Sequence, residues 1–298
     1  MINVNYPDSI NRALRPTPIE PLTRYGQRFE GIDLWIKRDD LTGFELSGNK
    51  VRKLEFSMAA ALKQGAGAVV TCGGVNSNHC RATTFMARSL GLNIHLFLRT
   101  PDGRPPKTLQ GNTLLNMIAG ANIHWIDPAT YLERDQLMSE FAAEQAKQGT
   151  GVFVIPEGAS DALGALGFVR AAEELQQQLD NESLDITHVV SAVGSGGTIA
   201  GLNAGHDALD LAWQTLGIAV CDAVAYFHDI ISGIRDDLRA YGLPAIGESS
   251  DLVLNADYQG RGYGLTTGEE LKEIAEFARL EGILLDPCYT GKAFIGMC

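Results

Sequence analysis

Apolar positions along this chain fall into two kinds of stretch: short continuous runs, and longer segments in which they recur at helical spacing. Val51, Leu54, Met58, Ala61 and Leu62 follow the second pattern, so a helix is predicted from close to Lys50, with Asn49 at its N-cap. The runs Ala68 to Thr71, Ile94 to Leu98, Ile123 to Ile126 and Val152 to Ile155 read as short strands. Ser77 to Leu90, Thr108 to Ala119 and Tyr131 to Lys147 read as the helices around them. Gly65, Gly67, Gly91, Gly120 and Gly149 fall between helix and strand, where a left-handed residue is wanted. After Pro156 the alternation resumes with a helix from Ala162 to Leu179, the strand His188 to Val193, and a helix opening at Ile199. A strand at Gly217 to Val220 follows, then helices at Ala225 to Tyr241, Thr267 to Glu281 and from Gly291. Asp33 to Arg38 and Ile283 to Leu285 are further strand candidates, and the first thirty residues, punctuated by Pro7, Pro16, Pro18 and Pro21, read as an extended wrap.

Strand followed by crossover helix, repeated, predicts an α/β fold with mostly parallel sheets, arranged as two three-layer α/β lobes with a cleft between them. Residues 50–159 are expected to form the smaller lobe, and 1–49 with 160–298 the larger.

Polar chemistry gathers where these elements meet. Lys50, in Ser47-Gly48-Asn49-Lys50, sits at the positive end of a helix dipole beside Arg52 and Lys53, and both effects disfavour an ammonium. A lysine kept partly neutral can attack a carbonyl and form a Schiff base; the alternative is a solvated lysine on a surface helix. Gly194-Ser195-Gly196-Gly197-Thr198 runs from a strand into a helix and offers backbone N–H groups and two hydroxyls, a cradle for a phosphate monoester or simply a tight turn. It is neither a dinucleotide fingerprint, since position 199 is Ile, nor a P-loop. Gly73 to His79 opens a helix in the same way, and its amides with Ser77 and Asn78 can receive a carboxylate, or Ser77 can be a plain N-cap. His79 is either a base or a first-turn packing residue. Asp286 to Lys292 places a phenol and a hydroxyl, Tyr289 and Thr290, just before a helix.

Composition narrows the class. The 298 residues are 45% hydrophobic and 20% charged, ordinary for a globular protein. A formal net charge of -12 argues against non-specific nucleic-acid binding. Five cysteines without a C-x-x-C pair suggest neither a disulfide framework nor a zinc site, and no histidine pair has metal-ligand spacing. With no apolar leader or 18-residue apolar stretch, a cytoplasmic protein with no membrane partner is expected.

Together the four motifs, in unbroken order from about Pro16 onward, resemble the tryptophan-synthase-β-like (fold type II) pyridoxal-phosphate enzymes. Within them they resemble the D-cysteine desulfhydrase and 1-aminocyclopropane-1-carboxylate deaminase family. The resemblance implies that Lys50 is the Schiff-base lysine of pyridoxal 5'-phosphate, and that Gly194, Ser195, Gly196, Gly197 and Thr198 hold its phosphate. It implies Asn78 near the phenolic oxygen and Thr290 at the pyridine nitrogen. Ser77, Asn78, His79, Tyr263 and Tyr289 would meet a small amino-acid substrate, with Lys50, Tyr289 and Ser77 carrying the catalysis; Lys53 matches the motif without being the Schiff-base position. A homodimer is implied too.

The deaminase branch resembles this chain but places a glutamate at position 290. A neutral threonine makes the ring a weaker electron sink, which suits α,β-elimination of D-cysteine to pyruvate, sulfide and ammonia. Opening of 1-aminocyclopropane-1-carboxylate, release of sulfite from cysteate, and a non-catalytic remnant are the alternatives. The resemblance also implies the rest of the last helix and a final strand after Cys298, so the last element of the large lobe is expected to be missing.

Overall fold

The apolar runs pair as parallel strands because each is followed by a helix that returns the chain to the same sheet edge. The structure is a computed structural model and describes residues 4–46, 48–245 and 252–298; Ser47, part of the motif before Lys50, lies outside them. Contacts divide the chain into two units, Met1–Asn5 with Arg15–Leu41 and Phe168–Cys298, and Tyr6–Leu14 with Thr42–Gly167.

The first unit begins with strand β1 (Ile19–Pro21), helix α1 (Thr23–Gly26) and strand β2 (Trp35–Lys37). β1 and β2 pair antiparallel, so part of the proline-punctuated wrap is in fact a strand.

The second unit holds α2 (Lys50–Lys63), β3 (Ala68–Gly74), α3 (Asn78–Ser89), β4 (Asn93–Arg99), α4 (Gly111–Ile118), β5 (Asn122–Ile126), α5 (Pro128–Leu132), α6 (Arg134–Lys147) and β6 (Val152–Val154). Its sheet is parallel throughout, in the order β5-β4-β3-β6. The chain walks outward from β3 to β5 and then returns to the far side of β3. The topological switch point therefore lies between β3 and β6, where ligands of open α/β sheets bind beyond the carboxyl ends of the strands. Tyr131 to Lys147, expected as one helix, is two: Pro128 at the first turn, capped by the Asp127 carboxylate on Thr130 N–H (2.8 Å), starts α5, and Glu133 (φ -100°, ψ 19°) breaks it before α6.

α2 is buried nearly all round, including Arg52, Lys53 and Glu55; only Leu62 of its expected apolar stripe is exposed. The Glu55 carboxylate compensates its burial by accepting the N–H groups of Arg12 (2.6 Å) and Ala13 (2.7 Å), which stitches Tyr6–Leu14 to this unit. Hydrogen bonds of this charged kind are worth about 1.5–3 kcal/mol each. Gly167, farther along the chain, must be a glycine where it packs against this helix, since a Cβ there would lie 2.3 Å from the Arg52 carbonyl oxygen.

Helix α7 (Ala162–Glu182) carries the chain back to the first unit, followed by β7 (His188–Val193), α8 (Gly197–Leu209), β8 (Gln214–Ala219), α9 (Val224–Leu238), β9 (Val253–Asn255), α10 (Gly268–Glu281) and α11 (Thr290–Met297). β7, β8 and β9 pair in parallel, and β9, three residues long, escaped the apolar-run pattern. Ile283 to Leu285 is not a strand. Ile283 and Leu285 instead join Leu22, Tyr25, Ile274, Phe277 and Phe294 in a core cluster, with the Phe277 and Phe294 rings 4.4 Å apart. Among the described residues no helix is long and apolar enough to cross a membrane.

Candidate active site

In the second unit the site is built around the start of α2. Asn49 occupies the N-cap position but has helical dihedrals (φ -58°, ψ -23°) and makes no side-chain cap, contrary to its expected role. The buried Thr42 hydroxyl shapes this entry, bonding both the N–H and the carbonyl of Gly48 at 3.0 Å, and Gly48 takes φ 121°, a left-handed value. Lys50 keeps a partly accessible surface. Burial nonetheless pushes its amine down to about 8, with the Glu157 carboxylate pulling the other way. Lys53 is fully buried, donates to the Gly158 carbonyl (3.1 Å) and approaches the Ser160 hydroxyl (3.2 Å). Its amine is held well below the ordinary lysine value by burial and then by Lys50, against Asp161.

The loop after β3 follows the same logic. Ser77 is the N-cap of α3, accepting Cys80 N–H at 3.2 Å, and a Cβ on Gly73 would meet Ser77 Oγ and Cys80 Sγ at 2.8 Å. The helix start is thereby drawn onto the strand end, with first-turn amides for which a helix supplies no carbonyl. Asn78 Oδ1 accepts from Arg81 Nη1 (3.1 Å) and Asn112 Nδ2 (2.8 Å). His79 is buried, with Nε2 2.8 Å from the Thr71 hydroxyl and Nδ1 3.5 Å from that of Thr83. Burial, then Lys50 and Lys53, hold its imidazole well below the usual histidine value, so it is neutral at pH 7.

Several partners in this unit went unread in the sequence. Arg81 Nη2 also donates to the Leu46 carbonyl (3.3 Å), linking the loop before Lys50 to the Asn78 amide. Thr113 of α4 pins the Val75 carbonyl at 2.5 Å. Glu157, in the turn after β6, accepts the Tyr131 hydroxyl (2.6 Å) and faces Arg134 Nε (3.1 Å). That turn holds the buried Ala159 at φ 47°, a conformation a non-glycine residue rarely takes. The available signal was a third strand running into a polar turn, Pro156-Glu157-Gly158-Ala159-Ser160.

In the first unit, β7 runs straight into Gly194 to Thr198, and Gly196 (φ 81°) is the residue before α8. The Tyr289 ring covers this turn so closely that a Cβ on Gly194 would lie 3.0 Å from its Cε1. Tyr289 and Tyr263 share a hydrogen bond between hydroxyls at 2.7 Å, their rings 5.8 Å apart and inclined by 70°. Burial, then the Tyr263 phenol, raises Tyr289 well above the ordinary tyrosine value, so it stays a neutral phenol. Thr290 Oγ1 accepts Asp286 N–H at 2.7 Å and donates to the Asp286 carbonyl at 3.4 Å. Asp286 Oδ1 accepts Cys288 N–H (2.7 Å) and Tyr289 N–H (2.9 Å). The structure thus gathers Gly194, Tyr263 and Tyr289 at one place in this unit, and Lys50, Lys53 and His79 into one electrostatically connected group in the other.

Pyridoxal phosphate needs an amine with an appreciable neutral fraction near pH 7 and a cradle of amides for its phosphate. Lys50 meets the first requirement. The start of α8 suits the second, since Gly194, Gly196 and Gly197 carry no side chain to crowd a phosphate and Gly196 takes a left-handed conformation. The residues present fit the group.

Comparison with known proteins agrees. The pattern of the family described as pyridoxal-phosphate dependent enzyme matches residues 10–297. A protein of Thermotoga maritima provisionally named 1-aminocyclopropane-1-carboxylate deaminase is 43% identical over 289 residues, 97% of this chain and 90% of its own length. The mitochondrial bifunctional D-cysteine desulfhydrase/1-aminocyclopropane-1-carboxylate deaminase of Arabidopsis thaliana is 42% identical over 95% of this chain and 70% of its own length. The crystal structure of a 1-aminocyclopropane-1-carboxylate deaminase homologue superposes with a TM-score of 0.86 at 36% identity, covering 98% of this chain and 86% of that one. With an α/β fold of parallel sheets and residues suited to the cofactor, this chain belongs to the pyridoxal-phosphate-dependent enzymes, in the family of 1-aminocyclopropane-1-carboxylate deaminase and D-cysteine desulfhydrase.

Proposed function

We propose that the chain catalyses α,β-elimination from a small β-substituted amino acid, D-cysteine first among them, giving pyruvate, sulfide and ammonia with uptake of one water. The observation that carries this reading is Thr290, whose hydroxyl is neutral and already engaged by the main chain of Asp286. The Asp286 carboxylate is itself occupied by the Cys288 and Tyr289 amides. At the position the family resemblance assigns to the pyridine nitrogen, this chain therefore offers no anion.

The two sets of residues would serve one active site. Lys50 would bond the cofactor covalently, Gly194 to Thr198 would receive its phosphate, and Asn78 would face its phenolic oxygen. When bound, the cofactor supplies a sink for the electron pair left at Cα. Ser77 and the amides at the start of α3 would hold the substrate carboxylate, and the Thr71-bonded His79 would support that loop. Lys50, released by the incoming amine, or the Tyr289 hydroxyl would take the Cα proton, according to the face that carries it. The neutral Tyr289–Tyr263 pair can then pass a proton to the departing thiolate. Opening of a cyclopropane is the second reading, favoured by the deaminase names of both relatives.

Supplying cofactor-loaded protein with D-cysteine, L-cysteine, 1-aminocyclopropane-1-carboxylate and cysteate, and measuring sulfide, sulfite, pyruvate and 2-oxobutanoate, separates the readings. Sulfide and pyruvate in equal amounts from D-cysteine are expected. Thr290→Glu should lower that elimination about tenfold, roughly 1.4 kcal/mol of barrier. Predominant 2-oxobutanoate, or unchanged product ratios in the variant, would overturn the assignment.

A further inference from the structure

Lys292 has no role in the chemistry above, yet it is a fully buried cation three residues beyond Tyr289. It lies in the first turn of α11, is 1% exposed, and donates from Nζ to the carbonyls of Gln259 (2.6 Å) and Gly262 (2.7 Å). A lysine this deeply buried ordinarily sits against a carboxylate. Here it donates to two main-chain oxygens of a single turn.

That turn leads directly into Tyr263. Gly262 N–H closes it onto the Gln259 carbonyl at 3.1 Å, so Gln259 O receives both the turn and Lys292. Gly260, Gly262 and Gly264 all take left-handed values, φ 59°, 105° and 70°. Three glycines within five residues give a backbone with little conformational preference of its own. Two external anchors supply what the backbone lacks. A Cβ on Gly260 would lie 2.5 Å from Glu270 Oε1, so the turn is pressed against the capping box of α10, and Lys292 holds its opposite ends. The residue delivered is Tyr263, whose hydroxyl must come within 2.7 Å of that of Tyr289. Lys292 is three residues beyond Tyr289 on the same helix start, so one short segment fixes both phenols.

We infer that Lys292 is a positioning residue: by clamping the carbonyls of Gln259 and Gly262 it sets the Tyr263 hydroxyl against Tyr289. The clamp stands on geometry alone; its effect on turnover rests on the proposed substrate-facing role of the two tyrosines.

The test compares holoenzyme with Lys292→Met, which keeps the aliphatic stem and removes the donor, with Tyr263→Phe, and with the double variant. Lys292→Gln, which can serve one carbonyl in place of two, answers the same questions should the methionine variant fold poorly. Amide exchange at Gly262 and Leu265 should speed up about tenfold or more in Lys292→Met and stay within twofold of wild type in Tyr263→Phe. Ultraviolet titration of the holoenzyme should show a tyrosine returning toward its ordinary range in Lys292→Met. Loss of kcat/KM from Lys292→Met should be about tenfold in the wild-type background and under twofold once Tyr263 is Phe. Unchanged exchange at the turn, or an equal kinetic loss in both backgrounds, would overturn the inference. If Tyr263→Phe by itself leaves both kcat and KM unaltered while the turn is released in Lys292→Met, the clamp stands and the substrate-facing role of Tyr263 fails.

Discussion

At the scale of residues, Lys50 was legible in the sequence, but for a secondary reason. Its place at a helix start predicts a modest loss of basicity, whereas the dominant cause is burial, which a sequence does not display. An amine with a value of about 8 is roughly a quarter neutral at pH 7.5, against about 0.1% for an ordinary lysine. Capture of pyridoxal phosphate by cofactor-free protein should therefore accelerate with rising pH through about 8 and level off above it, followed by the visible absorbance that forms on binding. Lys50→Ala should remove that absorbance; a midpoint near 10 would contradict this account of its surroundings. Glu157, Arg81 and Asn112 were not legible, because their roles depend on side chains meeting across loops far apart in the chain. Thr290 was legible as a neutral residue, but its engagement by Asp286 was not.

Elements show the same division at larger spacing. Strand and helix identity followed from apolar period almost throughout, while β9 and the break between α5 and α6 were decided by pairing with β8 and by the backbone at Glu133. Register also created a pairing that no motif announces. His95 on β4 and His124 on β5 lie side by side, with Nδ1 of one 3.1 Å from Nε2 of the other and Phe141 of α6 packed against both. Burial, and for His95 also the neighbouring His124, lowers both imidazoles, and His79 is lowered in the same unit. All three folded values lie below that of the unfolded chain. The unfolded chain therefore binds protons first, and stability, full above about pH 6.5, declines as pH falls below it. One proton of difference corresponds to about 1.4 kcal/mol per pH unit. The partial exposure of His95 and His124 keeps their share well under that figure. Melting temperature should fall between pH 7 and pH 5, and His124→Gln should flatten the decline; an unchanged slope would show that the pair does not set acid sensitivity.

For the whole molecule, cofactor binding is the largest expected lever on stability. A ligand that binds only the folded chain adds about 2.7 kcal/mol at a hundredfold excess over Kd. For a chain of this size that corresponds to a rise on the order of 4–8 °C in melting temperature. Pyridoxal phosphate should produce such a rise in the wild type and a smaller one in Lys50→Ala, where only phosphate and ring contacts remain; equal shifts in both would show that no covalent bond to Lys50 forms. The sequence by itself determined the α/β class, the order of the elements and the residue types at each strand end, because apolar period and local turn chemistry are properties of neighbouring residues. Only the tertiary structure decided the burial that lowers the basicity of Lys50, the commitment of His79 to Thr71, and the clamp of Lys292 on the turn before Tyr263. Each of those depends on how much solvent a group loses and which distant atoms replace it, and the linear order of residues carries neither.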